Sequence, residues 1–179
     1  MRTFFLLCLV AVLSACKDDA PKKDTPNQSL PQIEATTAVV TESFPSGAPK
    51  KATYKQNTTG AKVADLELYE SGQTYLDRRY TNDTLNGTSY SYYSDGKTWS
   101  MNNYKMGAYH GPYQLWWPNG QVRLTGHYTD GLEDGEWINF YDNGRIDTRG
   151  FYKEGQKAGT WTTYNKEGKL LKETNYDAK

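Results

Sequence analysis

The chain has 179 residues, with 21 Lys and Arg against 21 Asp and Glu and a mean hydropathy of −0.85. Such a balance leaves no electrostatic footprint for nucleic acid or for an anionic bilayer. Its two cysteines, Cys8 and Cys16, are too few for a disulfide framework.

The first element is a leader. Arg2 precedes ten apolar residues, Phe4 to Leu13, and then the small pair Ser14 and Ala15, which is the layout of a secretory signal peptide over residues 1–15. The apolar run is half of the roughly 20 residues that a transmembrane helix needs. Leu13-Ser14-Ala15-Cys16 resembles a bacterial lipobox, which implies that Cys16 carries a diacylglycerol and becomes the new N-terminus. Cys8 then departs with the leader, so no thiol pair remains for a disulfide or a cysteine metal site. "CKDDA" resembles the export signal of Bacteroidota lipoproteins. On that likeness Lys17, Asp18 and Asp19 direct the protein to the outer membrane with its body exposed at the cell surface, or otherwise facing the periplasm. Membrane contact is expected through the lipid anchor alone.

Residues 16–38 form the second element, a polar tether punctuated by Pro21, Pro26 and Pro31. The leader removes one basic residue, Arg2, leaving 20 basic and 21 acidic side chains, a net charge of −1.

The third element, residues 39–179, is a repeat. Gly47, Gly72, Gly96, Gly120, Gly144 and Gly168 are spaced by 25, 24, 24, 24 and 24 residues. Phe44, Tyr69, Tyr93, Trp117 and Tyr141 stand three residues before them. Tyr80, Tyr104, Tyr128, Tyr152 and Tyr176 stand eight residues after the later five. Asn-Gly in "WPNGQV" and "YDNGRI" is the pair preferred where both central turn residues need positive φ, and the flanks alternate apolar with polar. A two-residue turn predicts Trp117 opposite Val122 and Leu115 opposite Leu124, on one apolar face with Tyr128; Trp137, Tyr141, Ile146 and Tyr152 form the next such set. Trp116, Arg123, His127, Phe140, Arg145 and Arg149 fall on the other face. The expected fold is all-β, an elongated meander of about six antiparallel hairpins, with turns at Gly72, Gly96, Gly120, Gly144 and Gly168. A single hairpin is marginal in water, and stacking supplies the missing burial.

The pattern from Gly135 to Gly159, with Trp137, Tyr141, Gly144 and Tyr152 in register, resembles the variant form of the MORN (membrane occupation and recognition nexus) repeat. The resemblance implies a scaffold or binding surface, and bacterial members are often labelled antitoxin-like or membrane-binding. Asn82 and Asp83 depart from it, standing where later units carry Gly107, Gly131 and Gly155, as an end-capping unit would.

Chemistry-bearing constellations are sparse. His110 and His127 lack metal-ligand spacing, and Asp130, Glu133, Asp134 and Glu136 lack the order of a calcium loop, so no metal, cofactor or catalytic residue is assigned. With neither a nucleophile elbow nor a phosphate-cradling loop, the reading is not an enzyme. It is instead an envelope-anchored lipoprotein presenting a scaffold to another protein. One alternative is a glycan-binding lipoprotein using exposed rings, and another is an immunity or antitoxin-like binder. Tyr75, Trp99, Tyr109 and Trp116 are the candidate binding residues, because they have no counterpart in every unit. The partner is an unidentified cell-envelope protein or glycan, and nucleic acid is excluded.

Replacing Cys16 with serine is expected to move the protein from the membrane to soluble fractions, or to stall the precursor. Fractionation with intact-mass analysis checks it, and a fully processed, membrane-bound Cys16→Ser protein would contradict the leader reading.

Overall fold

The computed structural model describes residues 36–177. Cys16, Lys17, Asp18 and Asp19 lie outside the described residues. Described strands begin with β1 (Thr36–Ser43), β2 (Pro49–Gln56), β3 (Lys62–Leu68), β4 (Thr74–Thr81), β5 (Thr84–Leu85), β6 (Gly87–Tyr92), β7 (Thr98–Lys105) and β8 (Ala108–Tyr109). They continue with β9 (Gly111–Trp116), β10 (Val122–Thr129), β11 (Leu132–Glu133), β12 (Gly135–Phe140), β13 (Ile146–Lys153), β14 (Gln156–Tyr164) and β15 (Leu170–Asn175). All pair antiparallel, in the order β1-β2-β3-β4-β6-β7-β9-β10-β12-β13-β14-β15, with β5, β8 and β11 as short side pairings on β4, β7 and β10. The fold is thus an all-β meander, and among the described residues there is no helix.

Two kinds of turn alternate, and the expected chemistry falls on the other one. In "WPNGQV" the Trp117 carbonyl accepts from Gly120 N–H at 2.8 Å and Trp117 N–H donates to the Gln121 carbonyl at 2.8 Å. Gly120 has φ +85 while Asn119 is absent from the positive-φ set, so the connection is a three-residue loop with glycine in the left-handed position. The two-residue turn expected at Asn119-Gly120 is therefore corrected. Its carboxamide is used instead as a clip, accepting from Gln121 N–H at 3.0 Å and donating to the Asp142 carbonyl at 2.7 Å. The true two-residue turns, with both residues at positive φ, are Asn82-Asp83, Met106-Gly107, Asp130-Gly131 and Glu154-Gly155. Asn82-Asp83 is thus the same turn made with two residues that tolerate positive φ, rather than a departure that marks a cap.

The longer loop shifts the pairing beyond it. Leu115 opposes Leu124 as expected, but Val122 opposes Trp116 rather than Trp117, and Ile146 opposes Phe140. One extra residue, Arg123, is squeezed in between Val122 and Leu124. That bulge brings Arg123 to the face of Trp117, where its guanidinium lies 4.7 Å from the ring centroid, instead of the opposite face.

One face of the C-terminal half is a chain of rings. Tyr104, Tyr109, Tyr128, Trp137, Tyr152, Trp161 and Tyr176 follow one another at centroid separations of 4.7, 5.0, 5.1, 5.7, 5.0 and 6.4 Å. Such contacts contribute about 0.5–1.5 kcal/mol each beyond the area they bury. The two tryptophans are buried because each lies flat on a glycine of the strand before it: a Cβ on Gly126 would meet Trp137 ring carbons at 2.5 Å, and one on Gly150 would meet Trp161 at 2.2 Å. Toward the N-terminus the same positions, at 24-residue steps, read Tyr113, Ser89 and Asp65, and the glycine positions read Asn102 and Arg78. Where the ring shrinks, its neighbour grows. At the polar end Asp65 is buried but served by three donors, Thr53 at 2.6 Å, Tyr80 at 3.0 Å and Lys62 at 3.1 Å. Burial works to raise its pKa, and those donors hold it below the usual value.

Gly126→Ala is expected to destabilise by about 1–3 kcal/mol through overpacking. Gly107→Ala meets nothing within 4 Å and carries only the strain of φ +88, about 1–2 kcal/mol. The diagnostic is rescue: adding Trp137→Tyr should recover stability for Gly126→Ala and not for Gly107→Ala, read by denaturant unfolding as a double-mutant cycle.

Candidate functional site

The bulge recurs in every unit. Lys50, Tyr75, Trp99, Arg123, Asp147 and Leu171 are each the extra residue that has no partner across the ladder, always three residues beyond the turn glycine. The backbone repeats while the side chain does not. With two strands per unit and about 4.8 Å between strands, the six positions form a strip about 48 Å long.

A ladder of periodic rings stands beside this strip. Tyr69 donates its hydroxyl to the Tyr92 carbonyl at 2.9 Å and Tyr93 to the Trp116 carbonyl at 2.8 Å. The Trp117 indole N–H donates to the Phe140 carbonyl at 3.0 Å, and Tyr141 donates to the Tyr164 carbonyl at 2.8 Å. Each bond crosses from one unit to the next, so these rings are spent on construction. The bulge residues lean on them. Tyr75 meets Tyr69 edge-on at 5.3 Å, and Arg123 covers Trp117. Asp147 lies against Tyr141, whose phenol is raised first by desolvation and then by that carboxylate. At the N-terminal end of the strip, Glu42, Lys50, Lys51, Glu67, Leu68 and Tyr75 line an open recess of about 230 Å³. Its charges pair as Lys50–Glu42 at 3.2 Å and Arg78–Glu67 at 3.0 Å.

The four expected binding residues separate into three environments. Tyr75 and Trp99 share the strip, both half-buried. Tyr109 is stacked between Tyr104 and Tyr128 as a link of the ring chain and is partly exposed. Trp116 is periodic after all: Leu68, Tyr92, Trp116, Phe140 and Tyr164 occupy one column, and the last four supply the carbonyls of the ladder. Lys50, Arg123, Asp147 and Leu171 complete the strip and were not expected there. Their signal in the sequence is a fixed offset from each turn glycine filled by unlike residues. Gly72, Gly96, Gly120, Gly144 and Gly168 all sit in the three-residue loops, at φ between +81 and +86. His110 contacts Asp130 through Nδ1 at 3.2 Å, and among the described residues no group of three His, Cys, Asp or Glu side chains is placed to hold a metal ion.

A family model described as the MORN repeat variant matches residues 85–106, 109–130, 133–154 and 157–178. No curated protein matches. Among solved structures the chain is similar to TarM at 11% identity, covering 70% of this chain and 21% of that one with a TM-score of 0.30. A mutant of S. aureus TarM in complex with Fondaparinux, alpha-GlcNAc-glycerol and UDP matches at 12% identity, 71% and 22% coverage and a TM-score of 0.30. The accessory secretory proteins 1, 2 and 3 of Streptococcus pneumoniae match at 15% identity, 84% and 19% coverage and a TM-score of 0.17. The chain spans about a fifth of the length of these structures, and likeness at this level carries no argument about function.

The ring chain makes a prediction about alkaline pH. Burial first, then the Glu133 charge and the neighbouring phenols, push Tyr128 up to about 12, and Tyr104 is raised as well. A phenol held neutral in the fold binds a proton that the unfolded chain releases above about 10. The stability that Tyr128 contributes is thus complete below pH 10 and falls as pH rises from 10 toward 12. Denaturant unfolding at stepped pH checks the decline, and Tyr128→Phe should flatten it.

Proposed function

Because this chain belongs to the MORN repeat variant family and is a repeat scaffold, we propose that it is a non-catalytic lipoprotein that binds another cell-envelope protein along the strip of bulge residues. The observation that carries this reading is the contrast between an invariant backbone and unlike side chains at Lys50, Tyr75, Trp99, Arg123, Asp147 and Leu171. The ladder rings, which stitch one unit to the next, recur in type from Tyr69 to Tyr141. Residues used for recognition need only recur in position. The centre of the strip holds Tyr, Trp and Arg, the three types that dominate binding energy in protein interfaces, and charged Lys50 and Asp147 flank them. Arg123 and Tyr75 are also pre-positioned by the rings beneath them, which lowers the entropy lost on binding.

The leader and tether fit the same reading. A lipid on Cys16 fixes the chain to the outer membrane, Lys17, Asp18 and Asp19 direct its body to the cell surface, and the proline-spaced tether holds the sheet off the bilayer.

The test is photo-crosslinking in the native cell. A benzophenone side chain placed at residue 99 or 123 should give a discrete protein adduct, while one placed at 153 should not. Alanine at both Tyr75 and Trp99 should reduce adduct formation through residue 123 at least tenfold without changing the amount of folded protein. Adducts from residue 153 alone would move the interface elsewhere.

A further inference from the structure

Two carboxylates are buried back to back near the N-terminal end of the sheet. Asp65 is on the face of the ring chain, with all its donors in place. Asp77 is on the other, 7% exposed, opposite Leu66 on one side and Tyr90 on the other. Its Oδ2 accepts from Arg79 Nη2 at 2.6 Å. Its Oδ1 is buried and accepts from nothing among the described residues. A buried carboxylate oxygen without a donor is destabilising, since its lost hydration is not replaced. The repeat does not require it either, since later units carry Met101, Thr125, Arg149 and Glu173 at the same position.

The surroundings describe what would complete it. Tyr90 and Tyr92 stack on the same face at 6.3 Å and 27°. The phenols of Tyr54 and Tyr92 are raised, by burial first and next by the Asp77 charge, which places both within its field. Tyr54 and Arg79 hold equivalent places seven residues beyond their turn glycines, where the later units have Asn103, His127 and Phe151. An acid–base pair is therefore set among tyrosine rings here.

We propose that Asp77, Arg79, Tyr54, Tyr90 and Tyr92 form a binding site for a neutral glycan, separate from the protein-binding strip and on the opposite face. The Asp77–Arg79 pair is neutral as a unit, so it offers no net attraction to a charged ligand. It does offer one free acceptor and a fan of guanidinium donors, the complement of neighbouring sugar hydroxyls. Tyrosine rings supply flat apolar surface for the C–H face of a pyranose and hydroxyls at its rim. Reaching Oδ1 requires the neighbouring rings to part, and a ligand that stacks on them brings its hydroxyl to the unpaired oxygen as they do.

The test titrates the full chain with three neutral hexasaccharides, of β-1,4-glucose, α-1,4-glucose and β-1,4-N-acetylglucosamine, and with hexagalacturonate as a charged control, by calorimetry. At least one neutral hexasaccharide should bind, more tightly than hexagalacturonate, and Asp77→Asn should weaken it at least tenfold while the far-ultraviolet circular dichroism stays unchanged. Should Asp77→Asn unfold, Tyr90→Ala gives the same reading, supported on the wild-type chain by amide shift changes within residues 76–80 and 90–92. Absence of binding by all three neutral hexasaccharides, a preference for hexagalacturonate, or affinity indifferent to these substitutions overturns the proposal. Retained crosslinking from a benzophenone at residue 99 in Asp77→Asn would separate this site from the strip, and its loss together with glycan binding would overturn that separation.

Discussion

Tyr69, Tyr93, Trp117 and Tyr141 each donate to a carbonyl 23 residues further along the chain, and the form of the sheet depends on that spacing. The described residues supply one sheet and no second layer to cover it, so every unit must find its partners in the unit beside it. Along one margin this is done by Tyr69, Tyr93, Trp117 and Tyr141. On the other, Gly107, Gly131 and Gly155 donate their N–H groups to the carbonyls of Leu85, Tyr109 and Glu133, 22 residues back. Between the two margins the ring chain fills the space that a second sheet would occupy in a sandwich. Hydrophobic burial, backbone satisfaction and register are thus met by the same neighbour contacts, which is the physical content of a quasi-one-dimensional fold.

Much of this was legible in the residues. Glycine spacing, the aromatic offsets and the alternation of apolar with polar residues specify a hairpin repeat, and the strands appear where those offsets put them. What failed was the identity of the turn. Asn-Gly is a preferred pair for a two-residue turn, yet Pro118 or Asp142 before it builds a three-residue loop equally well, and a loop one residue longer moves Val122, Arg123 and Ile146 to other faces. The competition is between local turn options of similar energy, and pairing with the next unit decides it through the Asn119 and Asn143 clips. Candidate binding residues suffered in consequence. Tyr75 and Trp99 stand out in the sequence as irregular aromatics, while strict alternation puts Arg123 on the opposite face and Asp147, which shares their position, carries no aromatic signal. Asp77 carries no sequence signal, because an unpaired oxygen is visible only once its neighbours are placed.

Division of labour between faces follows from the bulge. An ordinary strand residue sits opposite a partner and is constrained by that partner's size, as Gly126 is by Trp137. The extra residue has no opposite number in the ladder. Where it leans on a ladder ring, as Tyr75 and Arg123 do, the fold already holds that ring in place, and no cross-strand partner sets its size. The same freedom that makes Tyr, Trp, Arg and Asp acceptable in succession makes the strip suited to recognition.

The stitching bonds also govern how such a chain can change length. An insertion of one or two residues within a unit would put a donor beside the wrong carbonyl on both margins at once, whereas adding or losing 24 leaves every donor facing an equivalent acceptor. Duplication is therefore the natural unit of variation, and each duplicated segment arrives with one new bulge position already in line with the others. A lineage carrying this fold gains reach in steps of about 10 Å and one independently mutable contact per step, so its recognition surface can be lengthened without being redesigned.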